Sequence, residues 1–283
     1  MITLKNEFLT VGISEFGAEI KSIVFNDSEY IWEGKPEVWG ASCPLLFPIC
    51  GGLKDDKYVL NGNEYTLEKH GFARKKTFIV ETESETGATF LLCADEATMK
   101  SFPFDFELRI TYTLIEKSVK IDYSVINKSN DTMYFNIGSH EGYYTPEGIE
   151  DYDVIFPENE TLSSSVLYGN LLSGQKQPII KDSSVLPLYD KYFIVDALVF
   201  TDLKSRSAIL RNRKTGKAVK VDFPDDKYFL LWHKHGAPYI CLEPWNGMPD
   251  RVGSNYNIAE KEGVTALDAN CEYNHTHTIT IIS

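Results

Sequence analysis

Two histidines and one glutamate, in three separate segments, have the side-chain chemistry needed for proton transfer. His70 precedes a glycine, His140 precedes Glu141, and Glu243 precedes a proline and a tryptophan. Histidine gives or takes a proton near neutral pH because its unperturbed pKa is about 6.5, and an ionised glutamate can accept one. General acid and base groups must lie within hydrogen-bond reach of the substrate, so the fold has to bring these distant segments together.

Alternation of apolar and polar residues predicts that most of the chain forms antiparallel strands. The clearest hairpin covers residues 107–126, where two alternating runs are joined by a short connection. Similar hairpins are predicted for residues 58–67, 77–93 and 208–223, each with a glycine near its turn. Only residues 95–101 show a helical pattern. Many short strands at regular intervals predict an all-β fold, specifically a large antiparallel β-sandwich.

The domain organisation follows from length and composition. A chain of 283 residues with 43% hydrophobic content can bury one large core. Residues 158–191 are richer in Ser, Gly, Pro and Asp, and they predict long loops that belong to the scaffold because strand patterns flank them on both sides. We therefore expect a single domain that covers residues 1–283.

Charge and cysteine content narrow the classes of partner. The formal net charge of −13 disfavours binding to nucleic acid or to an anionic membrane surface, so a neutral small molecule is the most compatible ligand. Five cysteines without a CxxC pair argue against a disulfide framework or a zinc ribbon. The sequence has no signal-peptide pattern and no apolar stretch long enough to span a membrane, so we expect a cytoplasmic protein. We also expect it to be a monomer or a homodimer.

Several common chemistries lack support in the sequence. The motifs GxGxxG, GxxxxGK[ST], HExxH and GxSxG do not occur, which weakens dinucleotide, P-loop, zinc-protease and α/β-hydrolase interpretations. His233 and His235, like His275 and His277, have the two-residue spacing that places side chains on one face of a strand. Neither pair has an evident third ligand, so we expect no metal site and no cofactor.

Four motifs occur in an order that resembles the aldose 1-epimerase, or galactose mutarotase-like, family. They are residues 46–48 (LFP), 70–74 (HGFAR), 136–142 (NIGSHEG) and 239–250 (YICLEPWNGMPD). The resemblance implies a β-supersandwich and the interconversion of the α and β anomers of an aldohexose, without cofactor or metal. It also implies that Glu243 is the general base on the anomeric hydroxyl, that His140 protonates the ring oxygen, and that His70 orients the sugar.

The resemblance extends, with less precision, to residues that would bind the sugar. Asp196 resembles a substrate-binding aspartate, although a structural role is nearly as compatible with its apolar surroundings. Arg74 resembles an arginine of relatives that act on hexose 6-phosphates, but it could equally belong to a solvated charged rim. Trp245 could cover one face of a sugar ring or belong to the core, with equal weight for each. We assign two further tryptophans to the core: Trp39 and Trp232.

The chain departs from the family at residues 51–52, where two glycines stand in place of an arginine that contacts the sugar. Loss of a charged hydrogen bond costs about 1.5–3 kcal/mol of binding, and Lys54 is the candidate to replace it. Two other functions therefore stay open. One is a non-catalytic protein that binds or senses carbohydrate, and the other is a glycoside hydrolase that pairs Glu243 with Glu141, Asp196 or Asp250.

Overall fold

The computed structural model describes residues 1–282, and antiparallel strands dominate it. The all-β prediction is confirmed, because every pairing between the strands is antiparallel. The strands are β1 (Ile2–Lys5), β2 (Leu9–Ser14), β3 (Glu19–Phe25), β4 (Ser28–Glu29), β5 (Lys57–Leu60), β6 (Asn63–Thr66), β7 (Ile79–Glu83), β8 (Gly87–Cys93), β9 (Phe106–Ile115), β10 (Ser118–Asn127), β11 (Met133–Phe135), β12 (Glu141–Tyr144), β13 (Tyr152–Tyr168), β14 (Leu171–Pro187), β15 (Leu198–Phe200), β16 (Ser207–Asn212), β17 (Ala218–Asp222), β18 (Tyr228–Trp232), β19 (Tyr239–Trp245), β20 (Thr265–Leu267) and β21 (Glu272–Ile282).

The helical content of residues 1–282 is small. The single α-helix among them, α1 (Glu96–Ser101), coincides with the predicted helical segment. It begins at Asp95, whose carboxylate accepts a hydrogen bond from the Thr98 amide at 2.6 Å and so satisfies an otherwise unpaired donor. Five short 3₁₀ turns complete the list: Lys54–Asp56, Ala73–Lys75, Ile149–Asp151, Asp190–Phe193 and Ile258–Glu260. In the described part of the chain, no helix is long and apolar enough to cross a membrane.

Two sheet layers enclose most of the core. The larger layer is a nine-stranded sheet in the order β14-β13-β16-β17-β21-β10-β9-β8-β7. Opposed to it are two four-stranded sheets, in the orders β1-β2-β3-β4 and β12-β19-β18-β15, and two small hairpin-like pairs, β5-β6 and β11-β20. One hydrophobic cluster joins side chains from all of these sheets, for example Val11, Phe135, Ile121 and Leu242.

The predicted hairpins are confirmed by the strand pairings. In β9 and β10 every second residue is buried, and Ile121 pairs with Tyr112 near the middle of the ladder. The pairs β5–β6, β7–β8 and β16–β17 correspond to the other three predicted hairpins. Local alternation was sufficient here because each strand has one face on the core and one face toward solvent.

The prediction of long loops in residues 158–191 is wrong. Most of this segment lies in β13 and β14, a hairpin of two 17-residue strands whose turn contains Asn170. Strand β14 is the edge of the nine-stranded sheet and has exposed residues on both faces, so its sequence lacks the alternation of a half-buried strand. Several register shifts between the two strands further interrupt the pattern.

Strands β18 and β19 separate the main core from the candidate site. Strand β19 is buried along its whole length. Ile240 and Leu242 point into the main core, whereas Cys241 and Trp245 belong to separate clusters on the opposite side. Because side chains alternate along a strand, Glu243 shares the side of Cys241 and Trp245. That side faces the segments that contain His70 and His140.

Candidate functional site

The structure brings the three predicted catalytic residues into one cavity of about 300 Å³. His70, His140 and Glu243 all contribute to its wall, and each of them is buried. They come from three different elements: the turn after β6, the turn that precedes β12, and β19. The cavity therefore unites groups that are 173 residues apart in the chain (243 − 70).

His140 and Glu243 form the closest pair in this cavity. Nε2 of His140 lies 3.4 Å from Oε1 of Glu243. No hydrogen bond satisfies that carboxylate oxygen or Nδ1 of His140. Burial lowers the pKa of His140 to about 3, and burial also raises the pKa of Glu243 well above its usual value. Both groups are therefore biased toward their neutral forms, with unused hydrogen-bonding atoms in the wall of a cavity.

His70 is held in one tautomer by the backbone. The amide of Gly51 donates a hydrogen bond to Nδ1 of His70 at 3.1 Å, so that nitrogen cannot carry a proton. Burial and the nearby charge of Lys69 contribute to a pKa for His70 well below its usual value. The imidazole is consequently neutral with its proton on Nε2, and it can donate one hydrogen bond to a ligand oxygen.

The backbone around His70 explains why a glycine must follow it. His70 and Gly71 both have positive φ angles, of 68° and 66°. A Cβ atom on Gly71 would lie 2.3 Å from the carbonyl oxygen of Phe47, which no ordinary contact permits. The amides of Phe72 and Ala73 donate to that same carbonyl. Because Gly71 has no Cβ atom, the backbone at Phe47 can pack against the backbone that follows His70. This contact holds the His70 side chain at the cavity.

Three tryptophans form aromatic walls around the acid-base pair. The rings of Trp39 and Trp232 have centroids 5.1 and 5.5 Å from that of His140, and both side chains line the cavity while partly exposed. Both also pack against the buried cluster that contains Tyr239, so their assignment to the core is incomplete because it misses their place in the cavity wall. Trp245 belongs both to a buried cluster and to the cavity wall, and its indole N–H donates to the carbonyl of Ser139 at 2.9 Å. The two alternatives for Trp245 are thus both partly correct.

Charged side chains surround the rest of the cavity. Asp196 and Arg74 line it as expected, and Lys69, which was not predicted from the sequence, lies with them. Arg74 donates to the carbonyl of Lys69 at 2.8 Å, whereas its Nε atom is buried without a partner. Arg74 is therefore part of the wall and not only of a solvated rim. The adjacency of Lys69 to the HG motif was the signal that could have identified it.

Lys54 lies outside this cavity, so its expected role as a sugar ligand is wrong. Its ammonium group donates to the carbonyl of Ser254 at 3.1 Å and lies 4.6 Å from the centre of the Tyr256 ring. These contacts direct the side chain toward residues 254–256 and away from His140 and Glu243, whose surroundings it does not line. The position of Lys54 in the sequence, close to the two glycines, does not show in which direction its side chain points.

The space beside the two glycines is filled by other residues. A Cβ atom on Gly51 would come within 2.4 Å of Pro249, and one on Gly52 within 2.7 Å of Asn170. Both Pro249 and Asn170 line the cavity. An arginine at either glycine would require these neighbours to move, so a proline and an amide form this part of the wall. Asn170 was missed because the β13–β14 hairpin was predicted as loop.

The other carboxylates proposed as partners of Glu243 have structural contacts. Glu141 accepts hydrogen bonds from the Ser139 hydroxyl at 2.7 Å and from His277 at 3.1 Å. Asp250 accepts from the Lys54 amide at 3.1 Å and lies 3.7 Å from the Lys261 ammonium group. Only Asp196 of the three lines the cavity with Glu243. A glycoside hydrolase needs two carboxylates in one site, and of these three residues only Asp196 could pair with Glu243 in the cavity.

The two histidine pairs contact carboxylates of the protein. His233 bonds Asp190 at 2.7 Å, and His235 approaches the other oxygen of the same carboxylate. His275 stacks on Tyr123, and its Nε2 atom lies 3.9 Å from Asp226. Neither pair belongs to a group of three candidate metal ligands among residues 1–282.

Fold and site together define the class: a galactose mutarotase-like β-sandwich with two histidines and a glutamate in one pocket. The chain belongs to the aldose 1-epimerase family, whose sequence model matches residues 1–279. That family acts on sugars, and membership supports an epimerase-type function.

Named relatives match this chain over nearly their whole lengths. The chain is 34% identical over 297 aligned positions to the plasmid form of protein LacX from Lactococcus lactis subsp. lactis, covering 100% of this chain and 99% of that protein. A galactose mutarotase related enzyme from Lactobacillus acidophilus is 34% identical, with a TM-score of 0.95 and coverage of 100% and 97%. A galactose 1-epimerase from Lactobacillus acidophilus NCFM, 13% identical with a TM-score of 0.74 and coverage of 99% and 93%, shares the fold.

Proposed function

We propose that this protein catalyses the interconversion of the α and β anomers of an aldose. The observation that carries the proposal is the His140–Glu243 pair, whose facing atoms are 3.4 Å apart at the cavity wall. Opening a hemiacetal removes a proton from the anomeric hydroxyl and adds one to the ring oxygen. Because these two oxygens are bonded to the same carbon, a base and an acid that face each other at short range suit them.

The pair has the proton count that this reaction requires. The active arrangement has an ionised Glu243 and a protonated His140, which together hold one proton. Glu243 takes the proton of the anomeric hydroxyl while His140 delivers its own to the ring oxygen. The pair then consists of a neutral carboxylic acid and a neutral imidazole, which are the forms that burial favours. Rotation about the C1–C2 bond and the reverse transfers close the ring as the other anomer.

The role proposed for His70 is to orient the sugar. Its neutral imidazole donates from Nε2, because Nδ1 accepts from the Gly51 amide. A donor that keeps the same protonation state across the working pH range can bind a hydroxyl or the ring oxygen without exchanging protons. Trp39, Trp232 and Trp245 can cover the apolar faces of the ring, while Asp196 can accept bonds from sugar hydroxyls.

Two substrate classes fit the charge of the cavity. A free aldohexose fits the aromatic walls and Asp196. A phosphorylated aldohexose is favoured by the two cationic side chains, Lys69 and Arg74, which line the same cavity. Arginine binds phosphate with two parallel hydrogen bonds, and Nε of Arg74 is a buried donor without a partner. Both classes would undergo the same reaction at C1.

The test is a direct measurement of anomer exchange. Polarimetry follows freshly dissolved α-glucose and α-galactose, and NMR saturation transfer follows their 6-phosphates. We expect the protein to accelerate equilibration of at least one of these sugars. Saturable sugar binding without any acceleration, across both free and phosphorylated aldoses, would instead identify a carbohydrate-binding protein. Release of reducing sugar from glycosides would favour a hydrolase.

A further inference from the structure

We propose that His140, Cys241 and Glu243 form a binding site for a single thiophilic divalent metal ion, such as Zn²⁺, and that occupancy of this site inhibits the protein. The metal site rests on geometry alone. The inhibitory effect also rests on the proposed acid-base function, because the ion would use two of the same side chains.

The donor atoms are close enough to share one ion. One ligand atom from each of the three residues lies within 4.8 Å of the other two, and all three residues are buried. Two ligands held at about 2.0–2.1 Å in a tetrahedral shell are about 3.3–3.4 Å apart. Nε2 of His140 and Oε1 of Glu243 are separated by 3.4 Å. A small adjustment of the thiol completes the triangle.

The carboxylate oxygen that would bind the ion has no other partner. Oε1 of Glu243 makes no hydrogen bond, although the residue is only 1% exposed. A buried polar atom without a partner is costly, and a bound cation would satisfy it. The contact with His140 is longer than a charge-assisted hydrogen bond of about 2.7–2.9 Å, so the two groups do not already satisfy each other.

The strand geometry and the charges select the class of metal. Cys241 and Glu243 are two residues apart on β19, so their side chains share one face. A thiolate and a carboxylate balance the two positive charges of the ion, and a neutral imidazole completes a mixed S, N, O set. Zn²⁺ and Co²⁺ accept such sets, whereas Mg²⁺ and Ca²⁺ prefer oxygen ligands alone. His140 and Glu243 also line the cavity, which leaves a fourth position open toward it.

Occupancy would block the proposed reaction at its proton-transfer step. A metal ion on Nε2 and on the carboxylate removes both the acid and the base from the sugar. Cys241 is fully buried and does not line the cavity, so it takes no part in the proposed proton transfers. Its role as a ligand can therefore be separated from theirs.

The primary experiment is spectroscopic and needs no substrate. Tag-free protein is titrated with Co²⁺ under reducing conditions, and we expect a thiolate-to-cobalt charge-transfer band in the near ultraviolet that saturates at one equivalent. The band should disappear in Cys241→Ala and persist in the matched control Cys43→Ala, which changes another buried free thiol. Absence of the band in the wild type, or its persistence in Cys241→Ala, would overturn the proposal.

A second measurement avoids any dependence on the folding of a variant. X-ray absorption of the wild-type protein with one equivalent of Zn²⁺ should show a single sulfur ligand at about 2.3 Å together with nitrogen or oxygen ligands. A shell of nitrogen and oxygen alone would place the ion elsewhere, for example at the exposed His235, and would contradict the site.

The inhibitory effect is tested on anomer exchange. Zn²⁺ should slow the reaction, and a chelator should restore it. Changes to outer-shell partners alone cost about 10–100-fold in metal affinity. The Zn²⁺ concentration that halves the rate should therefore be at least about 10-fold higher for Cys241→Ala than for the wild type, with each rate normalised to that of the same protein without metal. Equal inhibition of the wild type and of Cys241→Ala by Zn²⁺ would contradict the assignment of Cys241 as a metal ligand. A protein that binds Co²⁺ as described but shows no exchange activity would refute the proposed function and leave the metal site intact.

Discussion

The Nε2 atom of His140 and the Oε1 atom of Glu243 face each other at 3.4 Å, buried and without a hydrogen bond between them. The two groups come from different segments, and neither is held by an ion pair with a lysine or an arginine. Two opposed proton-transfer groups with free hydrogen-bonding atoms are therefore available to a ligand that presents two oxygens on one carbon.

Replacement of Glu243 by glutamine should abolish most of the exchange activity. The amide keeps the size of the side chain but cannot accept the anomeric proton, and general base catalysis is typically worth about 10²–10⁴-fold. NMR saturation transfer measures the remaining rate. The matched control is Glu158→Gln, an exposed residue of β13 outside the cavity. A folded Glu243→Gln protein with an unchanged rate would refute the proposed base.

Lys69→Met should change the pH dependence, whereas Lys54→Met should not. The charge of Lys69 lowers the pKa of Glu243, so its loss should raise that pKa further and shift the ionisation of the base to higher pH. If the substrate is phosphorylated, kcat/KM should also fall by about 10–100-fold, the equivalent of one charged hydrogen bond. Profiles of kcat/KM against pH measure both effects. Equal effects of the two substitutions would contradict the separate placement of Lys54.

Asp190→Asn should weaken sugar binding more than turnover. Nδ1 of His233 bonds the carbonyl of Tyr239 and Nε2 bonds Asp190, both at 2.7 Å, so the buried ring connects Asp190 to the backbone of β19. Asp190 thereby ties the segment that contains Asp196 to β18 and β19. The amide can still bond Nε2, but the bond loses the contribution of the carboxylate's charge. If about 1 kcal/mol of that loss falls on the sugar complex, KM rises about fivefold.

The control for this effect is the second histidine on the same carboxylate. The side chain of His235 is 71% exposed, and surface ion pairs contribute about 0–1 kcal/mol. His235→Ala should therefore leave KM nearly unchanged. A similar change in KM for His235→Ala and Asp190→Asn would show that the buried bond to His233 does not position the sugar-binding segment.

Asp226→Asn should stabilise the protein more at pH 8 than at pH 5. Asp226 is buried, neither carboxylate oxygen has a hydrogen-bond partner, and burial raises its pKa to about 7. A raised pKa in the folded state means that stability is lost as the pH rises toward that value. Between pH 5 and the raised pKa of about 7, the loss accumulates at about 1.4 kcal/mol per pH unit, so the gain at pH 8 should exceed the gain at pH 5 by about 2.5–3 kcal/mol.

Urea unfolding at the two pH values measures this difference. The neighbouring Asp225 is exposed, and its carboxylate accepts a hydrogen bond from the Thr276 amide at 2.9 Å. Asp225→Asn should therefore show no comparable gain at pH 8. A pH-independent effect of Asp226→Asn would mean that the buried carboxylate is solvated or paired in the folded protein.

Prediction from sequence succeeded where one local rule decided the outcome. Hairpins such as β9–β10 follow from alternation, and α1 follows from the short helical pattern of residues 95–101. The same rule failed for β14, an edge strand that is wet on both faces. The place of Trp39 and Trp232 in the cavity wall was also missed, because a tryptophan beside a ligand cavity has the same apolar neighbours as one in a core.

The sequence by itself determined the strand-rich architecture, the order of the motifs and the chemistry of His70, His140 and Glu243, because these depend on residue type and short-range periodicity. Only the tertiary structure decided which charges reach the cavity. Lys69 lies there and Lys54 does not, Asn170 and Pro249 fill the space beside two glycines, and Cys241 stands behind the acid-base pair. Side-chain direction and long-range strand pairing set these contacts, and neither is encoded by spacing along the chain.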